Sequence, residues 1–197
     1  NQRCQHCYIN FPASKNVKDF ISIDKIKSTL KEIQNDDIEY IFLTGAEPMT
    51  HPEFNSILRL CLKKSNVVIC TNGSFINEKK SRFLKKVEDE FENEIVFLFT
   101  FVHYDELKND SIRYRGSFRQ VLNAVKCLSK YGFNPIFNIL NYYNEPKDIL
   151  ITNFIEILSK VGFLAETFNF QMREFYDENN DEFEEPIVGN YDCATSR

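Results

Sequence analysis

The sequence predicts an α/β fold on a parallel sheet, and three observations predict it. Five short apolar runs have strand length and strand composition, rich in Ile, Val and Phe. Stretches with apolar residues at helical spacing separate them, and capping and stop residues mark the boundaries. Strands that alternate with helices in chain order form βαβ units, which build parallel sheets.

Taken in order, Ile23, Ile26, Leu30 and Ile33 form the stripe of a first helix, followed by a strand over Ile38–Thr44. Thr50-His51-Pro52-Glu53 reads as a capping box that opens a helix with Phe54, Ile57, Leu58, Cys61 and Leu62 on one face. A strand over Val67–Cys70 follows, then a helix marked by Phe83, Leu84, Val87 and Phe91. The next strand runs from Glu94 to Val102, and Ser117-Phe118-Arg119-Gln120 reads as a second capping box. Val121, Leu122, Val125 and Leu128 carry that helix to Gly132. Pro135–Leu140 is a strand, Ile151, Phe154, Ile155, Leu158 and Val161 form a helix stopped by Gly162, and Ala165–Met172 is the last strand. Both stop glycines suit the left-handed position past a helix end.

Composition narrows the function classes. At 197 residues the chain is long enough for one domain with a substantial core. A net charge of −5 offers no basic surface for nucleic acid. No apolar run approaches the roughly 18 residues of a membrane span. Six cysteines would allow three disulfides, but a chain of this size needs no such staples, so a reducing cytoplasm is expected.

The chemistry-bearing residues begin at the first turn. Cys4 and Cys7 stand two residues apart, and a cysteine just before Asn1 would complete a C-x3-C-x2-C run. Three thiolates at that spacing can hold a [4Fe–4S] cluster with one iron left open, whereas four-cysteine ligation suits electron transfer. On its own the pair also fits half a zinc site or a thioredoxin-like redox motif. Pro12, Ser14 and Asn16 argue against the helix that a redox motif opens, and Cys61, Cys70, Cys127 and Cys193 stand singly, offering no second zinc pair.

Downstream, Ile38–Thr44 runs into Gly45-Ala46-Glu47-Pro48, and Val67–Cys70 runs into Thr71-Asn72-Gly73. This set resembles the radical SAM superfamily, whose barrel carries a cysteine loop after its first strand, a Gly-Gly-Glu-Pro turn after the second and often Thr-Asn-Gly after the third. The resemblance covers nearly the whole chain and implies a partial (β/α)6 TIM-like barrel, with the first strand upstream of Asn1. It departs at the missing first cysteine and at Ala46, an alanine that would be strained if the turn needs positive φ there. In such a barrel functional residues gather at the C-terminal strand ends, where Cys7, Glu47, Asn72 and His103 are expected.

The resemblance implies a [4Fe–4S] cluster on Cys4 and Cys7 that cleaves S-adenosylmethionine (SAM) reductively, so that a 5′-deoxyadenosyl radical abstracts hydrogen from a peptide or small-molecule substrate. It also implies flavodoxin or ferredoxin as electron donor. SAM would lie against His6, the turn Gly45, Ala46, Glu47 and Pro48, and Thr71 and Asn72, with Thr100 toward its ribose or carboxylate and Asn138 toward its adenosine. Glu47 would brace its turn or take a further hydrogen bond. The stretch Thr100–Phe118 resembles members with a C-terminal cluster extension. Their aspartate falls on Val102 here, so its contact is either lost or supplied by Asp105. His103 and Arg113 join Asp105 as substrate candidates, although Arg113 fits a solvated loop nearly as well.

Residues 1–176 are thus expected to form the barrel core, and 177–197 an acidic linker that leads into a cysteine-rich extension of the SPASM or twitch type. Cys193 would then ligate an auxiliary iron–sulfur cluster. The alternative from another class is a degenerate barrel that binds SAM or a partner without radical chemistry.

Overall fold

A computed structural model describes residues 20–32 and 38–174 of the chain. The element order is α1 (Ile23–Glu32), β1 (Tyr40–Leu43), a 3-10 turn (Pro48–Thr50), α2 (Phe54–Leu62), β2 (Asn66–Cys70), α3 (Glu78–Glu88) and β3 (Ile95–Phe101). It continues with α4 (Glu106–Ile112), α5 (Ser117–Ser129), β4 (Ile136–Asn141), α6 (Lys147–Lys160), a second 3-10 turn (Thr167–Asn169) and β5 (Phe170–Glu174).

All five strands pair in parallel in the order β1-β2-β3-β4-β5. Sequential order combined with right-handed crossovers puts every connecting helix on the same face and bends the sheet toward a barrel. The arrangement is the expected partial barrel, open among the described residues. The strand expected upstream of Asn1 lies outside them.

The two faces of the sheet differ as a period-2 pattern requires. On β3, Ile95, Phe97, Phe99 and Phe101 are buried, while Val96, Leu98 and Thr100 on the opposite face are half-buried. Phe101 meets Phe118 of α5 edge-on, 5.5 Å between centroids, and lies 5.0 Å from Phe154 of α6. Phe137 of β4 packs with Phe99, Phe101, Phe163 and Phe170, so one aromatic cluster ties the sheet to its helices. The other face is the concave, lumen side.

Several boundaries differ from the sequence expectation, for local reasons. The Thr50 capping box does not form: the Thr50 hydroxyl donates to the Glu47 carbonyl at 2.6 Å and closes the 3-10 turn instead. Helix α2 starts after Glu53 without a side-chain cap, and His51 Nδ1 accepts from Glu53 N at 3.0 Å in the turn before it. That fixes the Nε2–H tautomer, which donates to the Ile21 carbonyl at 2.8 Å. The Ser117 box also fails, because Asp110 reaches across and takes the donors at the start of α5. Helix α4 was not expected; its seven residues are too few to show a periodic stripe. The last strand starts five residues late. Glu166 and Asn169 cap each other across a 3-10 turn, and Asn169 Nδ2 donates to Pro135 O at 3.0 Å, which holds the chain out of the sheet until Phe170. Gly132 and Gly162 do take the left-handed conformation, at φ +82° and +85°. No helix among the described residues is long and apolar enough to cross a membrane.

Candidate functional site at the strand tips

The C-terminal ends of β1 and β2 are fastened to each other by one side chain. Glu47 is only 2% exposed, and its carboxylate accepts from the Thr71 hydroxyl (2.8 Å), Asn72 N (2.8 Å) and Met49 N (3.3 Å). Burial pushes its carboxyl above the usual glutamate value, and the three donors oppose that only in part. Glu47 therefore braces its turn, with both oxygens engaged inside the protein.

The turn it braces needs its glycine once. Gly45 sits at φ +130°, with nothing within 4 Å of where a Cβ would stand. Ala46 is exposed and does not share the positive φ; among the described non-glycine residues only Asn144 does. The strain anticipated at Ala46 is absent, because the single left-handed step falls on Gly45.

On the lumen face the sheet register aligns Thr100 of β3, Asn138 of β4 and Gln171 of β5 into one polar row. Gln171 escapes a reading of the sequence, since only strand pairing shows which residue stands beside Asn138. The Asn138 Oδ1 is buried and has no hydrogen-bond partner among the described residues. An orphaned acceptor of that kind costs roughly 1–3 kcal/mol, which a ligand that presents a donor would offset. Cys70 also lies on this face, half-buried. Cys61 and Cys127 belong to helices, and burial pushes the Cys61 thiol up to about 11, so it is an inert core residue.

The tips of β3 and β4 carry a different arrangement. His103 is 1% exposed; its Nδ1 accepts from Asp105 N at 2.8 Å, so the proton sits on Nε2, 2.6 Å from Glu145 Oε1. Lys108 Nζ reaches the same oxygen at 2.9 Å. The His103 bond, helped by Lys108 and Tyr104, holds the Glu145 carboxyl down at about 2 against desolvation. Asn141 in turn clamps Glu145 through its backbone, with both bonds at 3.0 Å. Glu145 was not singled out in the sequence, because 42 residues separate it from the histidine it holds.

The other candidates are placed as follows. Asp105 caps α4, its Oδ1 accepting from Lys108 N at 3.0 Å. Arg113 ends α4 and is 8% exposed, so it is not the solvated loop residue that was its alternative. Pro48 opens the 3-10 turn after Glu47. Cys4, His6, Cys7 and Cys193 lie outside the described residues. Among the described residues no three His, Cys, Asp or Glu side chains converge as a metal site.

Comparison with known proteins agrees with this architecture. Over 134 residues, 67% of this chain, it is 29% identical to the antilisterial bacteriocin subtilosin biosynthesis protein AlbA of Bacillus subtilis (strain 168), of which the match covers 29%. The fold is similar to that of Streptococcus suis SuiB bound to its precursor peptide SuiA, with a TM-score of 0.63 at 14% identity over 89% of this chain and 37% of that one. The SuiB structure bound to S-adenosylmethionine gives 0.62 at 16% identity, over 90% of this chain and 41% of that one. The chain thus spans well under half the length of these relatives. The family pattern of the radical SAM superfamily matches residues 1–151, and with the parallel sheet and strand-tip turns in place, this chain belongs to that superfamily.

Proposed function

We propose that this chain is the radical SAM core of a peptide-modifying enzyme. The observation that carries the reading is its similarity to a bacteriocin biosynthesis protein, supported by a fold shared with a protein crystallised on a precursor peptide. When bound, the [4Fe–4S] cluster and SAM supply one-electron cleavage of the sulfonium and hydrogen abstraction from the substrate.

The chain's own residues bind, orient and exclude water. Cys4 and Cys7, with one further thiolate, would hold the cluster, and His6, between them in sequence, would pack on the adenine or shield the cluster. The backbone of Gly45 and Ala46 would receive the amino group of SAM, in a turn that Gly45 allows by its φ of +130°. Thr100 and Asn138 face the adenosine, and the orphaned Asn138 Oδ1 fits a group that presents hydroxyl and amino donors. Thr71 and Asn72 complete the wall, held by Glu47. Peptide substrate would enter at the rim of His103, Asp105 and Arg113, flavodoxin or ferredoxin would deliver the electron, and Cys193 would ligate an auxiliary cluster.

The test uses the full-length protein, reconstituted anaerobically with iron and sulfide and reduced with dithionite. Conversion of SAM to 5′-deoxyadenosine, lost in Cys4→Ala and Cys7→Ala, is the expected result. Transfer of deuterium from a deuterated peptide into 5′-deoxyadenosine identifies the substrate class. A fully loaded protein that yields no 5′-deoxyadenosine would sink the reading and leave a binding module.

A further inference from the structure

We infer that Gln120, on α5, is a positioning residue that sets the orientation of the Asn72 carboxamide at the SAM-facing turn. The inference rests on the reading of Asn72 as a SAM neighbour. Gln120 Nε2 lies 2.8 Å from the Asn72 backbone oxygen and 3.3 Å from Asn72 Oδ1. Two carbonyl oxygens face that one atom, which identifies it as the amide nitrogen. Asn72 Oδ1 also accepts from Ser74 N at 2.9 Å. Two donors on Oδ1 leave no choice of flip: the carbonyl end points toward Ser74 and α5, and Nδ2 is turned away from them.

The backbone of Asn72 is held from both sides at once. Its N–H donates to Glu47 Oε2 at 2.8 Å, on the β1 side, while its carbonyl accepts from Gln120 on the α5 side. The next residue seats the turn on the same helix. A Cβ on Gly73 would stand 3.0 Å from Ala124 Cβ and 3.3 Å from Phe99 Cε1, at φ +81°, so only glycine lets the turn approach this closely. Gln120 and Ala124 are one helical turn apart and share a face. Consecutive turn residues therefore rest on consecutive turns of α5, and an element outside the strand tips fixes a donor at them.

The test uses full-length reconstituted protein and measures SAM dissociation constants by equilibrium filtration, with hydrogen exchange over residues 71–75. Gln120→Met keeps the length and removes the donor; Gln120→Glu keeps the shape and sets an acceptor against two acceptors. Losing one oriented hydrogen bond predicts roughly 5- to 10-fold weaker SAM binding and faster exchange at Ser74 in Gln120→Met, with Gln120→Glu at least as weak. In an Asn72→Ala background, where only the bond to the backbone oxygen of residue 72 is left to lose, Gln120→Met should weaken binding by clearly less than it does alone, which a general packing defect would not reproduce. Wild-type affinity in both Gln120 variants, or an undiminished loss in the Asn72→Ala background, would overturn the inference while SAM binding by the wild type stands. Unchanged affinity in Asn72→Ala would overturn it too. Failure of the wild type to bind SAM would remove the proposed function and this inference together.

Discussion

At the scale of single residues, the lumen row separates stability from function. Asn138 carries a buried acceptor that is unsatisfied among the described residues, while Glu47 has donors for both carboxylate oxygens. Under the proposed function, SAM is the ligand that supplies the partner Asn138 lacks among the described residues. Replacing Asn138 with leucine, close to it in volume, should therefore stabilise the ligand-free protein by about 1 kcal/mol and weaken SAM binding. Urea unfolding together with a SAM titration checks both halves. A destabilised variant would mean that the lumen around Asn138 is satisfied in some other way.

At the scale of elements, the loops after β3 and β4 are built by carboxylates that act across the chain. Asp110 accepts from Phe118 N and the Ser117 hydroxyl, both at 2.9 Å, and from Gly116 N. Burial raises its carboxyl, yet these donors outweigh burial and hold it below the usual aspartate value. Asp110→Ala should cost about 1–2 kcal/mol, the loss of a helix cap, read as a lower urea midpoint at an unchanged slope. Glu145 plays the same part between β4 and α4. Its carboxyl lies near 4.5 when unfolded and at about 2 when folded. A lowered acid binds fewer protons in the folded state, so its contribution is complete above 4.5 and is lost as pH falls toward 2. Thermal unfolding followed from pH 5 down to pH 2 should fall less steeply in Glu145→Gln than in the wild type. Parallel pH profiles would show that the contact with His103 is not formed in solution.

At the scale of the whole molecule, one aromatic cluster couples sheet and helices. Phe137 is fully buried and touches rings from β3, the segment after α6, and β5. Truncation there leaves a cavity that several elements line, so Phe137→Ala should destabilise by about 3–5 kcal/mol in chemical denaturation. A cost below about 1 kcal/mol would mean that the sheet and α6 do not share one core. The helices lie on one face because strand order follows chain order, and the opposite face is left for the polar row.

Apolar periodicity and turn chemistry are local properties, and the sequence by itself determined what depends on them. The five strands, the parallel sheet, the turns at Gly45–Pro48 and Thr71–Gly73, and the glycine stops were all legible there. Helix caps were misread where a partner arrived from elsewhere: Asp110 displaced the Ser117 box, and the Glu47 carbonyl drew the Thr50 hydroxyl away from α2. Glu145, Gln171 and Gln120 were illegible for the same reason, since each gains its meaning from a neighbour 33 to 48 residues away. A hydrogen bond is a property of two groups brought within about 3 Å, and only the folded chain decides which distant pairs meet.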